Sequence, residues 1–159
     1  MGYNTENTEW PTATPVPEVQ KTIIDTLFNL LDDKSAGVGD KLADEIFTSD
    51  GILHGGAGTA KGTDAIRHAR DNAWKIIHTR RHKVLRVYVH DAEAKDLLIV
   101  GHVTMGFPNG KENAGEFTAR ILFVAPETEG GKPKIKDYNV WADTAPLSKA
   151  IQEALADAK

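Results

Sequence analysis

The 159 residues contain no cysteine. That removes disulfides, thiolate nucleophiles and cysteine-ligated zinc or iron–sulfur sites, and it agrees with a reducing compartment. Long apolar runs are missing too. The longest aliphatic stretch, Leu97-Leu98-Ile99-Val100, is far short of the roughly 20 residues of a membrane-spanning helix. The N-terminal stretch, with Pro11 and Pro15, lacks the basic n-region and apolar h-region of a signal peptide, so a cytoplasmic protein with no membrane partner is expected. Positive charge is not in excess: 19 Lys and Arg stand against 23 Asp and Glu, a formal net charge of −4. Such a chain has no basic footprint for a phosphate backbone, and no nucleic-acid partner is expected. With 40% hydrophobic and 26% charged residues, the composition is that of one packed domain rather than a disordered or coiled-coil chain.

Along the chain, residues 1–16 are polar and proline-broken and are expected to form a flexible arm, with Trp10 able to dock; residues 17–159 form a single domain. Pro17 suits the first turn of a helix on which Val19, Ile23, Leu27 and Leu30 recur at helical spacing up to Asp32-Asp33. A shorter helix carries Leu42, Ala43, Ile46 and Phe47, a short strand covers 51–54, and the glycine-rich 55–59 reads as loop. Thr63 is a plausible cap for a third helix that carries Ile66, Ala69, Ala73, Trp74 and Ile77. From His82 the pattern turns to strands, over 82–89, 97–107, 115–125 and 134–143, punctuated by the Asn109-Gly110 turn signal and the polar loop 126–133. Leu147, Ile151 and Leu155 mark a short C-terminal helix. Helices followed by a curled meander predict an α+β fold, a curved antiparallel sheet wrapped around N-terminal helices as a cone with an apolar pocket.

The run Phe47-Thr48-Ser49-Asp50-Gly51-Ile52-Leu53-His54, then Lys61-Gly62-Thr63-Asp64-Ala65-Ile66-Arg67, and finally Trp141-Ala142-Asp143, resembles in order and spacing the SnoaL-like branch of the nuclear-transport-factor-2-like superfamily. The likeness covers about residues 17–146. It implies a cystatin-like α+β barrel with a cone-shaped pocket and a dimer, in a superfamily that holds isomerases, cyclases, dehydratases, epoxide hydrolases and proteins without catalysis. Fold alone does not choose among these.

Two residues carry the expected chemistry. His82 starts the first long strand, and its spacing resembles scytalone dehydratase, where a histidine there helps proton transfer; an imidazole titrates near neutrality. In that enzyme helix one ends in an aromatic–aspartate pair, where this chain has Leu31-Asp32-Asp33, and its second histidine falls around residues 107–109. Asp143, after Trp141, looks like the position from which SnoaL-like cyclases present a carboxylate into the cone, and it also reads as the cap of the C-terminal helix. The expected substrate-binding residues are His54, His102, Met105, Phe107, Phe117, Ala119, Ile121 and Trp141. Alternation puts Phe117, Ala119, Ile121 and Phe123 on one face, assigned to the cone, and Thr118 and Arg120 on the other; His102 faces the pocket or a subunit contact. Tyr88 and Tyr138 are further phenol donors.

Several mechanisms find no match. Ketosteroid isomerases carry their base where this chain has Gly55, and the epoxide hydrolase pattern needs an aspartate two residues after Arg120, where Leu122 stands. His78-Thr79-Arg80-Arg81-His82 has a zinc-like interval without a second ligand pair, so no metal is expected. Arg80-Arg81, Lys83 and Arg86 read as a solvated strand end. The expected function is a cofactor-independent acid–base enzyme, a dehydratase, isomerase or cyclase, on a small apolar polyketide- or terpenoid-like metabolite. Asp143 would remove a proton and His82 would polarise the enolate oxygen. The rival is a noncatalytic small-molecule-binding or accessory protein of the same fold. A homodimer through the convex sheet face is expected in either case.

Overall fold

The computed structural model describes residues 2–56 and 58–157; Met1, Ala57, Ala158 and Lys159 lie outside them, Ala57 within the expected loop 55–59. Helix α1 (Glu18–Asp32) starts after Pro17 at φ −56°, a ring geometry pre-set for the first turn, where a missing N–H loses no hydrogen bond. Its Ile23, Ile24, Leu27, Phe28, Leu30 and Leu31 are buried along one side, the i, i+3, i+4 stripe that an amphipathic helix presents to a core. Gly37, at φ +84°, lets the chain reverse into α2 (Val38–Lys41). This runs on as a π-helical turn, Leu42–Ile46, that buries Leu42, Ala43 and Ile46.

There follow β1 (Phe47–Gly55), β2 (Gly58–Lys61), α3 (Thr63–His68), β3 (Thr79–Val89), β4 (Asp96–Gly106), β5 (Glu112–Val124), β6 (Lys134–Ala142) and α4 (Ala145–Asp157). The strands form one sheet in the order β2-β1-β6-β5-β4-β3. This α+β architecture is the expected one, with one correction: the sheet is mixed, because β1 enters from the helical segment and pairs parallel to β6. Bulges between Val84 and Arg86 and between Leu122 and Phe123 bend strands and strengthen twist, and the six-stranded sheet is curved and unclosed. On β5 the inner row Phe117, Ala119, Ile121 and Phe123 is buried, and with α1 and the π turn it makes the core. Among the described residues no helix is long and apolar enough to cross a membrane.

Three other expectations change. The glycine-rich stretch is a hairpin, not a loop: Thr59 and Ala60 pair with His54 and Leu53, and Gly58 at φ +115° makes the reversal. The third helix stops at His68 instead of reaching 77. Residues 69–75 form successive i→i−3 turns, Ala69 N–H to Ile66 O, Asp71 to His68, Ala73 to Arg70 and Lys75 to Asn72, because Arg70 and Trp74 are drawn across to carbonyls at the end of α1. Finally, residues 2–16 are laid against the domain. Val84 N–H donates to Asn4 O at 2.9 Å, Glu9 N–H to Leu85 O at 2.9 Å and Val87 N–H to Glu9 O at 3.2 Å, so the segment covers part of the β3 edge that would otherwise present unpaired backbone groups.

Candidate active site

Asp32 is the last residue of α1, one helical turn after Phe28, and the two therefore lie on the same side of the helix. Where α1 crosses β3, that side meets His82. The His82 ring Nδ1 and Asp32 Oδ1 are 2.5 Å apart, and the His82 backbone N–H donates to Asp32 Oδ2 at 2.7 Å. Asn4 Nδ2 donates to the same Oδ2 at 3.0 Å and to His82 O at 2.9 Å. Phe28 packs on the imidazole with ring centres 5.3 Å apart, and Phe117 meets it edge-on at 5.5 Å. Gly101 makes room for that second ring: a Cβ there would sit 2.3 Å from the Phe117 side chain. The His82 and Asp32 side chains retain only 12% and 8% exposure, so their pairing is little screened by water.

A carboxylate only accepts hydrogen bonds, so the imidazole Nδ1 carries the proton and Nε2 keeps a free lone pair. Burial pushes the His82 pKa down, outweighing the hydrogen bond and charge of Asp32, and the Arg80 and Arg70 charges push the same way. The ring is thus neutral at physiological pH, with a carboxylate behind it and a basic nitrogen in front, the arrangement of an oriented general base. Tyr138, buried and with its ring 6.3 Å from that of Phe28, is held protonated because burial raises its pKa, an effect the Arg70 charge partly opposes.

Next to this pair lies a cationic rim. Arg80 precedes His82 by two residues on β3 and shares its face of the strand. Arg80 Nη1 donates to Leu31 O at 3.3 Å and Nη2 to Ala73 O at 3.3 Å, and Arg70 Nη2 donates to the same Leu31 O at 2.5 Å. Both guanidiniums approach the Trp74 ring, at 4.8 Å for Arg80 and 5.9 Å for Arg70. The indole N–H is held by Asp33 O at 3.2 Å.

Among the expected site residues, the structure brings His82, Phe117, Ala119 and Ile121 to the inner face, with Met105 in register with Arg80. Phe107 is buried just beyond β4, apart from the main core. The hairpin after it is tied to α4 by Lys111–Glu153 at 3.2 Å and Asn109–Asp157 at 2.8 Å. Asp143 is not brought to His82. It is exposed and accepts the Ala145 N–H at 3.0 Å, as the cap of α4, so the expected Asp143–His82 partnership is replaced by Asp32–His82. Three assignments to the pocket are corrected by strand alternation. Gly101 and Phe117 pair on the inner side, which turns His102 outward with Leu98; Tyr138 points in, which turns Trp141 out, half-exposed; and Leu53 points in, leaving His54 outside, bonded to Thr59 Oγ1 at 2.7 Å. Among the described residues no three His, Asp or Glu side chains gather as a metal site.

Sequence reasoning missed four contributors. Asp32 stood in view as a helix stop and, in Leu31-Asp32-Asp33, at the place of the dehydratase's aromatic–aspartate pair, where the missing aromatic neighbour hid it. Arg70 and Arg80 carried no signal beyond charge, and Asn4 none.

No family model matches the chain, and no curated protein matches it. Solved structures do. A hexachlorocyclohexane dehydrochlorinase (LinA) type 2 is 15% identical, with a TM-score of 0.62 over 79% of this chain and 83% of that one. A scytalone dehydratase candidate from Novosphingobium aromaticivorans is 13% identical, TM-score 0.56, over 77% and 80%. A nuclear transport factor 2-like superfamily protein from Salmonella enterica is 13% identical, TM-score 0.60, over 78% and 89%. At such identities the likeness speaks for architecture, and it agrees with the motifs noted in the sequence: the chain has the nuclear-transport-factor-2-like fold.

Proposed function

We propose that the protein is a cofactor-independent acid–base enzyme, a lyase or isomerase for a small, largely apolar metabolite, with His82 as its general base. The observation that carries this reading is the buried Asp32–His82 pair, which leaves a neutral imidazole with Nε2 free. Nε2 takes a proton from a carbon of the substrate, and Asp32 fixes the tautomer and stabilises the imidazolium that forms. The electron pair of the broken C–H bond becomes a C=C bond and expels halide, or a hydroxyl that takes the proton back from the imidazolium and leaves as water. Where the carbon lies next to a carbonyl and there is no leaving group, the pair is held as an enolate and reprotonated elsewhere. The names of two structural neighbours, a dehydrochlorinase and a dehydratase candidate, agree with elimination as one such reaction. The aromatic packing of Phe28 and Phe117 against the imidazole, with Tyr138 next to Phe28, supports an apolar, polyketide- or terpenoid-like substrate.

The test is incubation with a metabolite extract followed by mass spectrometry, run beside His82→Gln, Asp32→Asn and, as a control, Asp143→Asn. A water-lighter, hydrogen-halide-lighter or isomeric product should form with the unmodified protein and with Asp143→Asn. It should fall by about two to four orders of magnitude in the other two variants. Retention of an unchanged metabolite by all four proteins would replace the enzyme with a binding module.

A further inference from the structure

We propose that Arg70 and Arg80 form an anion subsite beside His82, and that the substrate carries a carboxylate. The inference deepens the general-base reading and rests on it for the chemistry. It starts from a charge imbalance. Both guanidiniums donate to the single carbonyl oxygen of Leu31, so two positive groups stand side by side, half-buried against Trp74. Like charges so placed repel, and a guanidinium removed from water is costly without an anionic partner. Among the described residues no carboxylate forms an ion pair with either one. Asp32, whose charge they feel, is already engaged by the His82 ring, the His82 N–H and Asn4. The Nε atoms of both arginines are buried without a partner.

The α1 carboxy-terminus explains part of this arrangement, since the negative end of a helix attracts a cation. One guanidinium is enough for that: Leu31 O is a single acceptor and the dipole end is worth about half a charge. The second cation remains uncompensated. Lys34 Nζ lies 5.1 Å from the same Trp74 ring, so with His82 neutral the cations around the indole outnumber Asp32, and a carboxylate reduces that excess. A carboxylate also offers two coplanar oxygens, the partner a guanidinium fork fits best. Burial, and after it the neighbouring Arg80 charge, depress the Arg70 pKa to about 10. Arg80 and His82 are two residues apart on one face of β3, about 7 Å along the strand. A carboxylate on Arg80 therefore binds on the face of β3 that carries the imidazole.

The probe is benzoate, compared with its neutral isostere benzamide by titration calorimetry. Benzoate should bind about tenfold or more tightly than benzamide. Arg70→Gln and Arg80→Gln should erase that preference, and Arg70→Lys should keep part of it. In protein carrying Trp10→Phe and Trp141→Phe, benzoate should change the fluorescence of Trp74, the indole under both arginines. Equal affinity for the two probes, no benzoate binding, a silent Trp74, or a preference that survives in the Arg70→Gln/Arg80→Gln double variant would each overturn the subsite. Sulfate binding as tightly as benzoate would overturn the carboxylate assignment. The His82→Gln variant separates the two ideas: it should lose turnover and retain the benzoate preference, so a failed base and a failed anion subsite give different results.

Discussion

His82 is held in its neutral form by burial, and that fixes how the protein answers to acid. Its folded-state pKa lies below the ordinary histidine value of about 6.5, so between the two values the unfolded chain binds a proton that the folded chain refuses. Stability is therefore full above about pH 6.5 and is lost as the pH falls through the lowered folded-state value. The carboxylates with lowered pKa values, Asp33, Asp44, Asp50 and Asp91, act below about pH 4 and leave that window to histidine. Thermal melts from pH 7.5 to 4.5 should show the melting temperature falling below about pH 6.5. His82→Gln, a weaker fold throughout, should flatten that slope, and an equally steep fall in the variant would refute the assignment. How legible these residues were depended on their setting. His82 was visible because its spacing at the expected start of a strand resembles that of scytalone dehydratase. Asp32 and Asp143 looked alike, since a carboxylate at the end of any element serves locally as a stop or a cap. Only the crossing of α1 over β3 turns one of them inward.

At the scale of elements, periodicity told most of what was knowable. The α1 stripe and the β5 row Phe117-Ala119-Ile121-Phe123 were readable because one buried face leaves a strict period. The outward turn of His54, His102 and Trp141 needed the register to a partner strand, which single-strand patterns do not contain. The third helix is shorter than its pattern because Ala73, Trp74 and Ile77 keep helical spacing while Arg70 and Trp74 bond to carbonyls at the end of α1. The N-terminal segment differs from its polar reading: Asn4 and Thr5 are 2% and 3% exposed and bond to Asp25, Asp32 and the β3 backbone, with Asn4 Oδ1 alone left without a partner. Asn4 thereby becomes a positioning residue, donating to Asp32 Oδ2 while the imidazole takes Oδ1. Asn4→Ala should cost about 1–3 kcal/mol in urea denaturation and should lower turnover with a shifted acid limb of the pH–rate profile. The exposed neighbour Asn7, exchanged for alanine, should change neither. An Asn4→Ala protein with unaltered stability and profile would reduce the segment to a passive cover.

For the whole molecule, the sheet has two unequal faces. Helices cover the inner one, while the outer one leaves Tyr88, Leu98 and Trp141 exposed at 47%, 41% and 50%. Beside them an open surface groove is lined by Tyr88, Leu97, Leu98 and Arg120 among others. Large apolar side chains gathered on one face of a sheet mark a surface that another molecule covers, and the homodimer expected through the convex face is the occupant we predict. Sedimentation velocity should give twice the 17.3 kDa of one chain. Leu98→Glu with Trp141→Lys should return it to a single chain, because charges at the centre of an interface of about 1,200–2,000 Å² cannot stay hydrated. A monomer in the unmodified protein would mean that the row faces water. The position of the dyad adds a second readout. Asp32, His82, Arg70 and Arg80 all come from one chain and lie on the far side of the sheet from Leu98 and Trp141, so a monomeric variant should keep its turnover and its benzoate preference. Loss of both on dissociation, with the fold intact by circular dichroism, would show that the partner chain shapes the site through the sheet.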